Sequence, residues 1–343
     1  MILFTVIFFF SNSNKMFFFF IIFISTLISI SANTWFGCWI GLEINLLSFI
    51  PLISNSKNSL SSEASLKYFL VQSIASINFL FIILLKMFLM KNFLINNVIS
   101  IMINLPLLMK MGSAPFHFWF PNMIEGLSWL NCFILMSWQK ISPMIILSYY
   151  YNKNLLIIII IMNAIIGALG GLTQTSLRKL MAFSSINNLS WMMMAILISE
   201  NLWLFYFLFY TFLISIICIS FYMLNMYFIN QLYMMNMNNM IKISLLINFF
   251  SLGGLPPFLG FFPKWMIINF MLKTKLIILS FILILMSLIM LFFYIRISFS
   301  SIMINYLKLK WFKINIKNNF FLMINIYSLI SISGMILSTF FFY

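Results

Sequence analysis

The sequence predicts an all-α polytopic membrane protein of about eleven transmembrane helices, built as two inverted repeats of about five helices with broken members, plus a final helix. Three observations carry this. Hydrophobic residues make up 64% of the 343, charged residues only 7%, and mean hydropathy is +1.12. Apolar stretches long enough to cross a bilayer follow one another along the whole chain, separated by short Asn- and Ser-rich breaks such as Asn55 to Ser62 and Asn236 to Asn239. Two of the stretches share an internal interruption, Gly followed shortly by Pro-Phe.

In chain order the spans are expected near 16–33, 35–53, 63–85, 94–120, 126–150, 154–172, 175–198, 201–229, 243–271, 276–298 and 319–341. They form a single membrane domain over residues 1–343, with a first half at 16–150, a second at 154–298 and a last transmembrane helix at 319–341. No stretch is left for a soluble domain. Lys308 to Asn319 reads as amphipathic or surface-bound. Met1 to Phe10 is apolar but lacks a basic start and a small-residue cleavage site, so no cleavable leader is expected. The excess of Phe, Ile, Asn, Met, Lys and Tyr over Ala, Gly and Arg is the signature of A+T-rich codons and suggests an organelle-encoded chain.

A net charge of +15 would suit nucleic acid only if the basic residues formed a water-facing patch. They are instead scattered along the loops, so no nucleic-acid partner is expected, and phospholipid headgroups are the natural anions for some of them. Lys15, Lys57, Lys67, Arg178, Lys179, Lys242, Arg296, Lys308, Lys310, Lys313 and Lys317 fall on the side of the N-terminus, against Lys86, Lys91, Lys153, Lys273 and Lys275 opposite. The excess puts the N-terminus inside, the matrix side of a mitochondrial inner membrane, and an odd span count puts the C-terminus on the intermembrane-space side. Cys38, Cys132 and Cys218 lie in apolar segments and read as buried hydrophobes. With one His, a conventional zinc site lacks ligands.

The fourth span contains Gly112 and Pro115-Phe116, and the ninth Gly253, Gly254 and Pro256-Pro257-Phe258. Proline removes a donor and frees a carbonyl, and in hydrocarbon such groups must face protein or water. The interruptions stand an odd number of spans apart, which reverses their direction, as in inverted repeats that place a site where the helices break.

Only four carboxylates occur, none of them Asp, and Glu43 lies in the middle of an apolar run. Lys140 is as deep in the fifth span, and Lys110 and Lys264 adjoin the two interruptions. A single lysine near a helix end ordinarily snorkels to the interface. Three of them with a buried Glu, at breaks that favour water, point instead to a shared polar axis for proton transfer. Lysine suits this work because burial pulls its proton affinity down, whereas arginine stays charged. Moving a lysine from about 10.4 to about 7 corresponds to roughly 5 kcal/mol, and a neighbouring Glu43 that approaches or withdraws from Lys110 supplies modulation of that order. A proton moved against the membrane potential requires about 2.3 kcal/mol per ~100 mV. His117 is a possible relay between Lys110 and Lys140. Ser184, Ser185 and Asn187 offer groups that hold water in the seventh span, or that join helices.

WIGLEIN (Trp39 to Asn45), SSEASLKYF (Ser61 to Phe69), APFHFWFP (Ala114 to Pro121), SWQKISP (Ser137 to Pro143), GGLTQTSLRKLMAFSSI (Gly170 to Ile186) and GGLPPFLGFFPKW (Gly253 to Trp265) occur in that order over roughly residues 35–265. Together they resemble the antiporter-like membrane subunits of proton-pumping NADH:ubiquinone oxidoreductase, respiratory complex I. By that resemblance Glu43 is the family's channel carboxylate, Lys110 the lysine beside it, Lys140 the central lysine and Lys264 the terminal one, where a paralogous subunit carries Glu. The resemblance implies that NADH, FMN, iron–sulfur clusters and ubiquinone belong to other subunits, that this chain holds no cofactor or metal, and that its partners are other membrane subunits, antiporter-like neighbours among them. Asn188 and Ser190 stand where many members carry His and Gly, and Asn122 where vertebrate members carry Glu, with Glu125 nearby; Glu125 is given no role. Residues 1–14 lie outside the resemblance, as a tail or an alternative start. The rival readings are a stand-alone cation/proton antiporter, which lacks a second mid-membrane carboxylate here, and a structural scaffold in which the charges merely pair.

Overall fold

A computed structural model describes residues 13–55, 57–89, 96–234, 239–303 and 325–334. The stretch Met1 to Phe10, Lys91, most of the Asn236 to Asn239 break, Lys308 to Asn319 and most of the last expected span at 319–341 lie outside the described residues.

The chain divides into two compact units, Met1–Met162 and Asn163–Tyr343. The first holds α1 (Ser13–Ser31), α2 (Trp35–Ile53), α3 (Ser59–Leu89), α4 (Asn96–Met111), α5 (Trp119–Ile124), α6 (Trp129–Met136) and α7 (Trp138–Tyr149), and the division falls inside α8 (Lys153–Leu172). The second continues with α9 (Leu177–Ile198), α10 (Glu200–Leu224), α11 (Ile229–Met234), α12 (Asn239–Gly253), α13 (Phe261–Lys273) and α14 (Ile277–Met303). Residues 325–334 are also helical. Among the described residues the only extended pairing is an isolated antiparallel bridge between Ser176 and Phe228. Among the described residues eight helical stretches are long and apolar enough to cross a bilayer, with Trp129–Tyr149 taken as one, and α4 and α12 are shorter apolar helices. The molecule is a multi-pass, all-α membrane protein.

Within the first unit α1 and α2 form a close hairpin. Thr34 caps α2 by accepting from the Gly37 N–H at 3.2 Å, and Gly41 lets the backbone of Ser29 approach so closely that a Cβ would sit 2.7 Å from its nitrogen. α2 also packs on α3 and α7, and α3 and α7 both pack on α4. At one end Lys86 lies over the rings of Trp35 and Tyr150, 4.7 and 4.4 Å from their centroids, joining the ends of α2, α3 and α7. In the second unit α9 packs against α10, α13 and α14. It is the most enclosed span, with 83% of its apolar window buried against 33% for α14, and it buries Ser184, Ser185, Asn187, Asn188 and Ser190. Polar side chains in spans thus face protein, where partners exist, and the outer helices offer hydrocarbon to lipid.

The described helices lie near ten of the expected spans, with three instructive differences. The eighth ends at Leu224 rather than near residue 229, because Asn225 turns left-handed (φ 52°) and closes the helix. The fifth, expected to run unbroken over 126–150, is interrupted at Ser137 (φ −110°, ψ −74°), whose hydroxyl donates back to the Phe133 carbonyl at 2.6 Å. Pro143 then withholds a donor from the next turn.

The third difference concerns the two interruptions, which end in the same way. At the first, Gly112 (φ 68°) donates to Met109 O at 3.2 Å and Ser113 to Leu108 O at 3.1 Å. At the second, Gly254 (φ 81°) donates to Ser251 O at 3.1 Å and Leu255 to Phe250 O at 3.2 Å. Both are Schellman closures with glycine in the left-handed position. Pro115, Pro256 and Pro257 therefore follow helices that glycine has already ended, and the Ala114–Pro115 peptide is cis. Gly253 is the last helical residue and has no such constraint: a Cβ there meets nothing nearer than 3.5 Å, whereas at Gly254 it would lie 2.9 Å from the Lys264 ammonium.

The contrast sets a test. Gly112→Ala and Gly254→Ala are expected to lower the thermal unfolding midpoint of the purified protein in detergent, each by the equivalent of about 1–3 kcal/mol. Gly253→Ala is expected to leave it unchanged or raised.

Candidate functional site

In the first unit Glu43 lies on α2, half-buried, and is close enough to act electrostatically on Lys110 and on Tyr68. It forms no ion pair with Lys110; among the described residues Glu43 Oε2 and Lys110 Nζ are both buried without a hydrogen-bond partner. Lys110 is 7% exposed and occupies the last turn of α4, where the negative end of the helix dipole faces it. Carbonyls near this helix end receive donors from neighbouring elements. Gln72 on α3 donates to Lys110 O at 3.1 Å, and the Trp119 indole donates to Met109 O at 3.2 Å. The break is thereby held in place without consuming the lysine's own ammonium.

Lys140 is the most enclosed of the four, 1% exposed, with its ammonium 5.5 Å from the centroid of the Phe120 ring. It sits in the first turn of α7, immediately after the Ser137 interruption, so all three buried lysines adjoin a helix break. The residue before it ties its helix to that of Glu43: the Gln139 amide donates to Asn45 Oδ1 at 3.0 Å and accepts from the Tyr68 hydroxyl at 3.5 Å. Glu43 and Asn45 belong to one short segment of α2. The sequence-derived residues Glu43, Lys110 and Lys140 are accordingly gathered in one unit, with Asn45, Tyr68, Gln72 and Gln139 as companions that the sequence reading did not single out. Their signal was present, since amides inside apolar spans are costly unless paired.

His117 is 7% exposed in the connection after Gly112, its ring tilted by 33° against that of Phe118 with centroids 4.2 Å apart. Its Nδ1 lies 3.3 Å from Pro115 O, and it makes no hydrogen bond to Lys110 or Lys140. Asn122 is exposed on α5, and Gly126, next to Glu125, packs against Leu60 and Ala64 of α3.

In the second unit Lys264 is 6% exposed and donates from Nζ to Gly253 O at 3.0 Å, so the ammonium crosses the second interruption and satisfies the carbonyl that ends α12. A cavity beside it is lined by Asn188, Tyr206, Tyr210 and Gly260. Tyr206 donates to Asn188 Oδ1 at 2.9 Å, and the Tyr210 hydroxyl is paired with Ser185. Ser184 and Ser185 donate within their own helix, to Met181 O at 2.8 Å and Ala182 O at 2.7 Å, so as acceptors they remain open to groups from other helices. The cysteines are buried thiols. Among the described residues no group of three or more His, Cys, Asp or Glu side chains could hold a metal ion.

A protein-family model described as NADH:quinone oxidoreductase/Mrp antiporter, TM, matches residues 32–290. The chain is similar to NADH-ubiquinone oxidoreductase chain 2 of Anopheles gambiae, 49% identical with 91% of this chain and 93% of the relative covered. It is also similar to the chain of that name from Locusta migratoria, at 43% identity over 91% and 92%. Among solved structures, respiratory complex I from Thermus thermophilus with bound Aureothin contains a chain that superposes with a TM-score of 0.82 at 17% identity, covering 96% of this chain and 79% of that one. A chain of the Mrp complex from Dietzia sp. DQ12-45-1b does so with a TM-score of 0.72 at 15% identity, covering 81% and 58%. At these identities the superpositions establish the fold.

The Gln139 bridge makes the gathering of the first unit testable. Gln139→Leu leaves Asn45 and Tyr68 without their amide partner and is expected to destabilise the protein by about 1–3 kcal/mol. A lowered thermal midpoint in detergent would register this.

Proposed function

Because this chain belongs to the NADH:quinone oxidoreductase/Mrp antiporter family, we propose that it is a core membrane subunit of proton-pumping NADH:ubiquinone oxidoreductase, in the place its relatives hold as chain 2. Glu43, Lys110, Lys140 and Lys264 are the groups that carry protons, with His117 in a lesser relay role. The observation that supports this most is the burial of the three lysines, 7%, 1% and 6% exposed, each beside a helix break. A bilayer interior tolerates such groups when they are paired or hydrated and used.

In this reading Glu43 and Lys110 form an adjustable pair. Approach of the carboxylate holds a proton on the lysine, and withdrawal releases it toward Lys140 through water at the Gly112 break. Asn45 and Gln139 couple displacement of α2 to α7, because the hydrogen bond between them spans the two helices. Lys264, tethered to the second break, is by the family resemblance the terminal lysine. The matching glycine closures support two inverted halves, 16–150 and 154–298, followed by a last helix.

The chain is assigned to the mitochondrial inner membrane, with the N-terminus on the matrix side and the C-terminus facing the intermembrane space, on the asymmetry of its basic residues. Its partners are other membrane subunits, including antiporter-like neighbours, and phospholipids. NADH, FMN, iron–sulfur clusters and ubiquinone are bound elsewhere in the complex.

Lys140→Met in the assembled complex tests the assignment. NADH oxidation with an artificial acceptor should persist, while protons pumped per NADH in sealed vesicles should fall at least twofold. Unchanged pumping would favour a scaffold.

A further inference from the structure

The cavity beside Lys264 measures about 10 Å³ as room for the centre of a water molecule, the scale that accommodates one water. Its polar lining comes from three helices: Lys264 on α13, Asn188 on α9, and Tyr206 and Tyr210 on α10. Tyr206 and Tyr210 are four positions apart and so share one face of their helix. Gly260 completes the wall, and any side chain there would strike the Ser251 carbonyl.

The hydrogen-bond directions make this cavity chemically one-sided. The Tyr206 hydrogen goes to Asn188 Oδ1, and the Tyr210 hydroxyl is engaged with Ser185. With its hydrogen committed to Asn188, the Tyr206 hydroxyl has only acceptor capacity left. The Lys264 ammonium gives one hydrogen to Gly253 O and retains further donors. A site with a cationic donor on one wall and a phenolic acceptor on another suits a water that accepts from lysine and donates to tyrosine.

We propose that Tyr206, oriented by Asn188, holds a single water against Lys264, and that this water is the first proton acceptor from the lysine. The inference rests on the proton-carrying role of Lys264 proposed above and adds the group that receives its proton. On transfer an Nζ–H bond breaks and an O–H bond forms on the water, leaving a neutral amine and a hydronium, which gives up its extra proton to a water outside the cavity at its open side; uptake runs in reverse. The Tyr206 oxygen stabilises the hydronium by accepting one of its hydrogen bonds. Asn188 does not titrate. It is a positioning residue, which fixes the phenol hydrogen away from the cavity so that the phenol acts as an acceptor.

The test uses the assembled complex in sealed vesicles with a quinone acceptor, and the amount of intact complex on a native gel is the measure of assembly. Tyr206→Phe keeps the ring and removes the acceptor, and should lower protons pumped per NADH at least twofold. Asn188→Leu keeps the phenol but frees its hydrogen, and should lower the ratio to a lesser degree and displace the pH profile of pumping. Normal pumping in Tyr206→Phe with impaired pumping in Lys264→Met would overturn the inference while leaving the proposed function intact. Normal pumping in both Lys264→Met and Lys140→Met would remove the proposed function, and the inference with it. If Tyr206→Phe does not assemble, a map of the unaltered complex that resolves waters decides: density within hydrogen-bond distance of both Lys264 Nζ and the Tyr206 oxygen supports the site, and its lack overturns it.

Discussion

In hydrocarbon no solvent is available to satisfy a backbone carbonyl or hydrate a charge, so each break in a helix and each buried ionisable group requires a partner from the protein or from confined water. The arrangement of this chain follows from meeting both needs at the same places. Lys264 donates to the carbonyl that ends α12, while Gln72 and the Trp119 indole supply carbonyls at the end of α4 and so leave the Lys110 ammonium uncommitted. The breaks need donors, the lysines need a polar setting, and placing one beside the other serves both.

This economy also explains the division between central and peripheral helices. α9 gathers its serines and asparagines between Ser184 and Ser190 and is the more enclosed, whereas α14 exposes a large apolar face and turns Ser280, Ser298 and Ser301 inward. Serine hydroxyls return their hydrogen to the preceding turn of their own helix and keep lone pairs for neighbours, as at Ser184 and Ser185. Such side chains are tolerable in a span without external donors and available when a tyrosine from another helix arrives.

Much of the fold was legible in the sequence because hydropathy over a span is a sum, insensitive to the details of packing. The Gly112 and Gly253-Gly254 interruptions were legible for a different reason: glycine beside proline is a local backbone statement. Which of those residues performs the reversal was less so. Gly254 takes the positive φ and Gly253 does not, and the prolines come after the helices have ended. The Ser137 interruption was missed, since a serine and a later proline in an apolar run read as an ordinary span until the backbone is seen to leave helical geometry at Ser137. Glu43, Lys110, Lys140 and Lys264 stood out because charge in hydrocarbon is conspicuous. Asn45, Tyr68, Gln139 and Tyr206 did not, because a neutral polar residue in a span has many ordinary uses.

The sequence by itself determined that this chain crosses the membrane repeatedly as helices, where two of those helices break, and which ionisable side chains fall inside apolar stretches. These are properties of one residue type or of a window of neighbours, and hydrophobic burial and glycine stereochemistry act at that range. Only the tertiary structure decided that Gln139 meets Asn45, that Lys264 reaches back to Gly253, and that Tyr206 turns its hydrogen toward Asn188. Each of these joins residues on different helices, and hydrogen-bond direction depends on distances of a few ångströms that no spacing along the chain encodes.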